Sequence, residues 1–232
     1  MRAVAPAGRS GLPEAATDDG AEAVLVLCAP GAQPLTLRPG RLARLVGPAT
    51  ALADAVLGLE EDPDPAVPPL SVRFMGQDWA ALDPGAQARL RRRAGRVFAG
   101  TGWLSNLDVD ENVLLACHGE APENLPARRR RADVLARRLG LNGLPRTRPA
   151  QTPGHELQLC QWVRALVPEP RLLILEHPTR GCHRWIYPTL AALLEQLLAE
   201  GVAVLWLEDD AHTPDTLGLR PDLTLHLGTP GG

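Results

Sequence analysis

The stretch RLLILEHPTRG, residues 171–181, runs from apolar residues into a carboxylate and an imidazole, Glu176 and His177. A glutamate so placed can support a metal ion or polarise a water, and a histidine can accept a proton near neutral pH. Cys182 and His183 follow closely, so a metal centre of Glu176, His177, Cys182 and His183 can be drawn. The spacing is not that of a zinc site, and neighbours in one short loop rarely close around an ion without ligands from elsewhere. No metal is therefore expected. A second candidate is the turn Gly47-Pro48-Ala49-Thr50, between an apolar run and a helical pattern. A helix beginning near Thr50 would turn its first N–H groups toward an anion. Asp54, one turn further on, reads as an exposed helix position.

Composition narrows the classes. The chain has 232 residues, 45% hydrophobic and 22% charged, which suits one sizeable domain with a packed core. A formal net charge of −3 gives no general attraction to nucleic acid. All 24 basic residues are arginine; there is no lysine. The arginine clusters at 89–96 and 128–131, with Arg137 and Arg138, accompany 3% aromatic residues and no recognition motif. They read as solvated helix faces, or as a surface for an anionic partner, and nucleic acid is not expected. Cys28, Cys117, Cys160 and Cys182 lie far apart without a CxxC pair, which fits a reduced cytoplasmic compartment. No apolar run approaches the ~18 residues of a membrane span. Residues 1–21, rich in Ala, Gly, Pro and Asp, are expected to form a flexible leader and not a secretion signal.

The elements that must position these groups alternate as in an α/β protein. Strands are expected at 23–28, 42–46, 71–74, 96–98, 172–175, 202–207 and 223–227. Helices are expected to begin near Thr50, Pro84, Val109, Pro126, Gly154 and Trp185. Residues 102–167 read as a helical subdomain inserted into the sheet, within a domain spanning 22–232. Residues 140–153, rich in Gly, Pro, Arg and Thr, read as a loop.

In order, LRPGRLARLVGP, DPGAQARLRRRAGRVFAGTGWLSNLDVDENVLL, TPGHELQLCQWVRALVPEPRLLILEHPTRGC and GVAVLWLEDD resemble the ATP-binding subunit of an ABC transporter. The resemblance covers nearly all of the chain after residue 22. WLSNLDVDENV is most similar to the ATPases of Mla-type lipid transporters associated with MCE proteins. The resemblance implies a P-loop NTPase-like core sheet. It also assigns places to the motifs, and the letters at those places differ from the family pattern.

A P-loop, GxxxxGK[ST], wraps backbone N–H groups around phosphates, with a lysine on them and a hydroxyl on magnesium. Here the stretch from Gly47 has no lysine, no glycine before Gly58, and about four residues fewer than that pattern. At the Walker B segment the resemblance puts Glu176 at the magnesium-supporting aspartate and His177 at the water-polarising glutamate. The added methylene of Glu176 moves its oxygens by about 1 Å, enough to matter in positioned chemistry. Ala99 stands for the Q-loop glutamine, and Asp209 for the switch histidine, where its charge would repel a phosphate. Thr152, Pro153, Gly154, His155 and Glu156 stand for the signature; Pro153 removes a serine hydroxyl and an N–H. Gly181, Cys182 and His183 stand for the D-loop, and no aromatic residue precedes Phe74 to stack an adenine.

What the resemblance then implies is a catalytically degenerate ABC subunit with neither ATP nor magnesium bound. Its place would be cytoplasmic and peripheral at the inner membrane, as a structural or regulatory partner of a lipid transporter. Its partners would be a membrane permease and an intact ATPase paralogue, in a homo- or heterodimer. Trp103, Leu104 and Asn106 are the candidate permease contacts; Trp103 reads equally as a core anchor. The alternative is residual ATPase activity through Glu176 and His177. A soluble module that has left transport is a third reading.

Overall fold

The computed structural model describes residues 22–28, 33–59, 70–100, 102–119, 121–209 and 217–226. The expected leader, 1–21, and the last residue of the strand expected at 223–227 lie outside them.

The chain begins with strands β1 (Leu25–Cys28), β2 (Leu35–Leu37) and β3 (Leu42–Val46), then helix α1 (Ala49–Val56). Strands β4 (Ser71–Phe74) and β5 (Gln77–Asp78), helix α2 (Pro84–Arg91) and strand β6 (Ala94–Val97) follow. Helices α3 (Val109–Leu114), α4 (Leu125–Arg138) and α5 (Gly154–Leu166) precede β7 (Leu172–Glu176). Helix α6 (Tyr187–Ala199) and strands β8 (Ala203–Glu208) and β9 (Leu223–His226) complete the order. Residues 140–153 hold only a 3-10 turn at Pro149–Gln151.

The strands form two sheets. One is antiparallel, in the order β2-β1-β4-β5; the other is parallel, in the order β6-β7-β8-β3-β9. A parallel sheet covered on both faces needs strands that are apolar throughout. LLILE of β7 is buried at all five positions. Its two faces serve two cores. Leu172 and Ile174 pack with α1 and the antiparallel sheet, through Leu52, Ala53, Val56 and Phe74. Leu173 and Leu175 face the other way, among Val113, Leu135, Trp162 and Leu190 of α3 to α6. β8 divides similarly, with Leu205 and Leu207 in the first core and Val204 and Trp206 in the second. Each such leucine contributes about 1.5–3 kcal/mol of burial.

α6 buries Leu190, Leu193, Leu194 and Leu197, the i, i+3, i+4, i+7 stripe of an amphipathic helix. α5 lies so close to β6 that a Cβ on Gly95 would stand 2.2 Å from the Ala165 carbonyl oxygen. Only glycine fits there.

Several expectations shift, β1 beginning at Leu25 and β8 running over Ala203–Glu208. β2 and β5, short and without strong β-branched content, were not anticipated. β6 begins at Ala94, two residues early, because Gly95 gives no apolar signal although it is buried. The helix expected near Trp185 begins at Tyr187 after a 3-10 turn, Arg184–Ile186.

Candidate functional site

The C-terminal ends of β3, β7 and β8 lie side by side, with Val46 paired to Glu208 and Glu176 to Leu207. Ligands of open parallel sheets bind outside such strand ends. Two residues, Gly47 and Pro48, join β3 to α1. Gly47 donates its N–H to the Glu208 carbonyl at 2.8 Å, and Pro48 has no N–H to give. The first N–H of α1, on Ala49, donates to Asp209 Oδ1 at 2.9 Å. A carboxylate of the chain thus sits where a helix start would attract an anion.

Glu176 is 0% exposed. One of its oxygens accepts from Arg96 Nε, and the other accepts from Thr50 Oγ1 at 3.0 Å. Arg96 also reaches Asp54 Oδ1 at 2.5 Å. Burial alone would lower the Arg96 pKa, but its bonds to Glu176 and Asp54 outweigh this and raise it above the ordinary arginine value. Both carboxylates therefore face a permanent cation.

His177 holds φ at +45°, a left-handed conformation unusual for a residue with a side chain. That turn directs its ring to β8. Nε2 lies 2.8 Å from Asp209 Oδ2 and Nδ1 lies 3.4 Å from Glu208 Oε2. Glu208 is buried; one oxygen accepts from Trp206 Nε1 at 2.5 Å and Oε2 has no hydrogen bond. For Asp209, burial opposes ionisation, but the Ala49 N–H, then His177 and Arg180, prevail and hold its pKa below the ordinary value. Glu176, Asp54, Glu208 and Asp209 outnumber Arg96 and Arg180 here, so the neighbourhood is negative.

Arg96, Asp54 and Glu208 were not singled out as site residues. Asp54 is a correction: it is half-buried and ion-paired, not an exposed helix position. The signal available was Arg96 itself, a charged residue in a buried strand, which demands a partner. The metal centre drawn from four neighbouring residues does not assemble. Glu176 and His177 turn to different partners, and His183 lies against His155 with ring centroids 4.7 Å apart. No group of three or more His, Cys, Asp or Glu side chains is arranged to hold a metal ion among the described residues.

The remaining candidates lie elsewhere. Thr152 and Pro153 lead into α5, and Gly154, His155 and Glu156 form its first turn. Thr152 is buried and bonds Thr147 Oγ1 at 2.9 Å and the Arg148 carbonyl. The N–H of Ala99 points to Glu176 Oε2 at 3.5 Å and its carbonyl accepts from Arg180. Trp103 packs partly against the α3–α6 core, while Leu104 and Asn106 are exposed.

The lipoprotein-releasing ATP-binding protein LolD of Maricaulis maris is 34% identical to this chain over 178 residues, 74% of this chain and 75% of that protein. The chain belongs to the ABC transporter ATP-binding family. The macrolide export ATP-binding/permease protein MacB of an Azoarcus species is 33% identical over 177 residues, and that match spans 26% of its length. No protein-family model matches the chain. Among solved structures, a dimeric bacterial ABC transporter cassette superposes with TM-score 0.67 at 18% identity, covering 88% of this chain and 95% of that one. The cassette cbiO1 of Clostridium perfringens gives 0.59 at 18% identity, covering 82% and 79%. The ABC cassette fold is thus shared. No helix among the described residues is long and apolar enough to cross a membrane.

Proposed function

We propose that this ABC-family subunit works without nucleotide, as a structural or regulatory component of a membrane transporter. What supports the reading is that the chain's own charges pair with one another at the strand ends and the α1 start, the positions that the resemblance assigns to Mg-ATP. Arg96 neutralises Glu176, the carboxylate at the magnesium position. Asp209 takes the α1 N-terminus where phosphate would sit. Gly47 and Pro48 are too short a connection to wrap N–H groups around phosphates, and a triphosphate would approach a surplus of carboxylates. Magnesium and ATP do not fit this set of groups, and no hydrolytic step is derived from it.

For the transporter class we propose lipid handling of the Mla type. The segment WLSNLDVDENV supports it, and the LolD relative is named for releasing lipoproteins. The partners are a permease, through Trp103, Leu104 and Asn106, and a second ABC subunit, at the cytoplasmic face of the inner membrane. The test is calorimetric titration of the chain with Mg-ATP. Absence of binding at millimolar nucleotide is expected; a micromolar dissociation constant overturns the reading.

One observation favours a second reading, residual ATPase activity. Asp209 orients His177 at 2.8 Å, as a carboxylate orients a general base. Turnover abolished by His177→Ala would support it; no turnover in the wild-type chain removes it.

A further inference from the structure

The Arg96 guanidinium lies over the Phe98 ring, 4.5 Å from its centroid. Arg164, on α5, lies over the same ring at 4.9 Å and over the Trp103 ring at 4.7 Å. A continuous ladder therefore runs from buried Glu176 through Arg96, Phe98 and Arg164 to half-buried Trp103.

The backbone beside the ladder is pinned at nearly every step. Gln161, 3% exposed, accepts from the Phe98 N–H at 2.8 Å and donates to the Gly100 carbonyl at 3.1 Å. Arg180 holds the Ala99 carbonyl at 3.2 Å, and Arg164 Nη1 holds that of Gly102. Asn112, fully buried, receives the Leu104 N–H at 2.8 Å and donates to the carbonyls of Leu104, Leu107 and Asp108. All of these clamps come from α3, α5 and the loop after β7.

Arg164 is the expensive member. Its Nη2 is buried without a hydrogen bond. Burial, and then repulsion from Arg96, push its pKa down to about 10, so it stays charged at neutral pH. The faces of Phe98 and Trp103 are its compensation. A Cβ on Gly102 would stand 3.0 Å from Arg164 Nη2 and 3.4 Å from the Phe98 ring, so the turn closes tightly over the pair.

We infer that the Arg96–Phe98–Arg164–Trp103 ladder is a latch, fixing residues 98–100 and 102–107 in one conformation without nucleotide. It rests on the nucleotide-independent reading above and adds how this segment is held without a ligand. An exposed Leu104 on pinned backbone is already ordered, so a partner meeting it loses little conformational freedom.

The test is hydrogen–deuterium exchange on the full chain, with and without millimolar Mg-ATP, and calorimetry run in parallel. Arg164→Gln and Phe98→Leu are each expected to speed exchange about tenfold in peptides covering 98–107, while β7 and β8 stay unchanged. Arg164→Lys, keeping charge but losing the planar face, is expected to fall between. Phe98→Leu keeps the test decisive if Arg164→Gln misfolds. Exchange within twofold of wild type in folded Phe98→Leu, with no ATP binding, overturns the latch alone. ATP binding by calorimetry, with slowed exchange in 98–107, overturns the nucleotide-independent reading and the latch with it.

Discussion

Asp209 accepts the N–H of Ala49 at 2.9 Å, so a residue just past β8 caps the helix that follows β3. The cap is long-range, because Pro48, the residue at the helix boundary, supplies no side-chain hydrogen bond. Its stabilisation depends on ionisation. The folded-state pKa lies below the ordinary value of 3.8, so the contribution is complete above that range and is lost as pH falls through the folded value. Urea unfolding of Asp209→Asn should run parallel to wild type in strong acid and fall below it toward neutral pH. Equal stabilities at neutral pH would count against the cap.

Removing Arg96 strands a buried charge. Arg96→Met should destabilise by about 3–5 kcal/mol, because Glu176 is left without its cation. Adding Glu176→Leu should recover much of the loss, since the uncompensated carboxylate goes with it. Chemical denaturation of both variants measures this; a double mutant weaker than the single one contradicts it.

The Asn112 clamp makes a local prediction. Asn112→Ala leaves the Leu104 N–H and three carbonyls to find other partners. A loss on the order of 2–3 kcal/mol is expected, with limited proteolysis newly cutting near Leu104.

Gly95→Ala tests the β6–α5 contact. The added methyl meets backbone, which cannot rotate away. A loss of about 1–3 kcal/mol is expected from thermal unfolding.

None of the four cysteines is in a disulfide bond, and they differ in character. Burial pushes the Cys160 thiol up to about 12, with Glu156 adding to it, and raises Cys182 to about 11. At neutral pH both are thiols and should resist iodoacetamide in the folded chain; peptide mapping after alkylation in native buffer and in urea checks this.

The sheet was legible because its strands are apolar on both faces. LLILE and AVLWLE cannot be half-exposed, and the runs announced themselves at the right places. β2 and β5 were hidden, since three- and two-residue strands carry too little pattern to register. The site was half legible. The order of motifs placed Glu176, His177 and Asp209 at strand ends, where β3, β7 and β8 bring them together. That Arg96 would face Glu176 required the register of β6 against β7, with Arg96 beside Ile174, and adjacency of strands is not written in either strand. The pairing of Asp54 with Arg96 depended on the orientation of α1, which periodicity fixes only to a face.

With Arg96 seated between Glu176 and Asp54, the buried cation finds its counter-charges inside one molecule. On the reading proposed, the subunit is blind to the cell's ratio of ATP to ADP. A complex containing it would last as long as its contact surfaces hold, with no hydrolytic clock to part them.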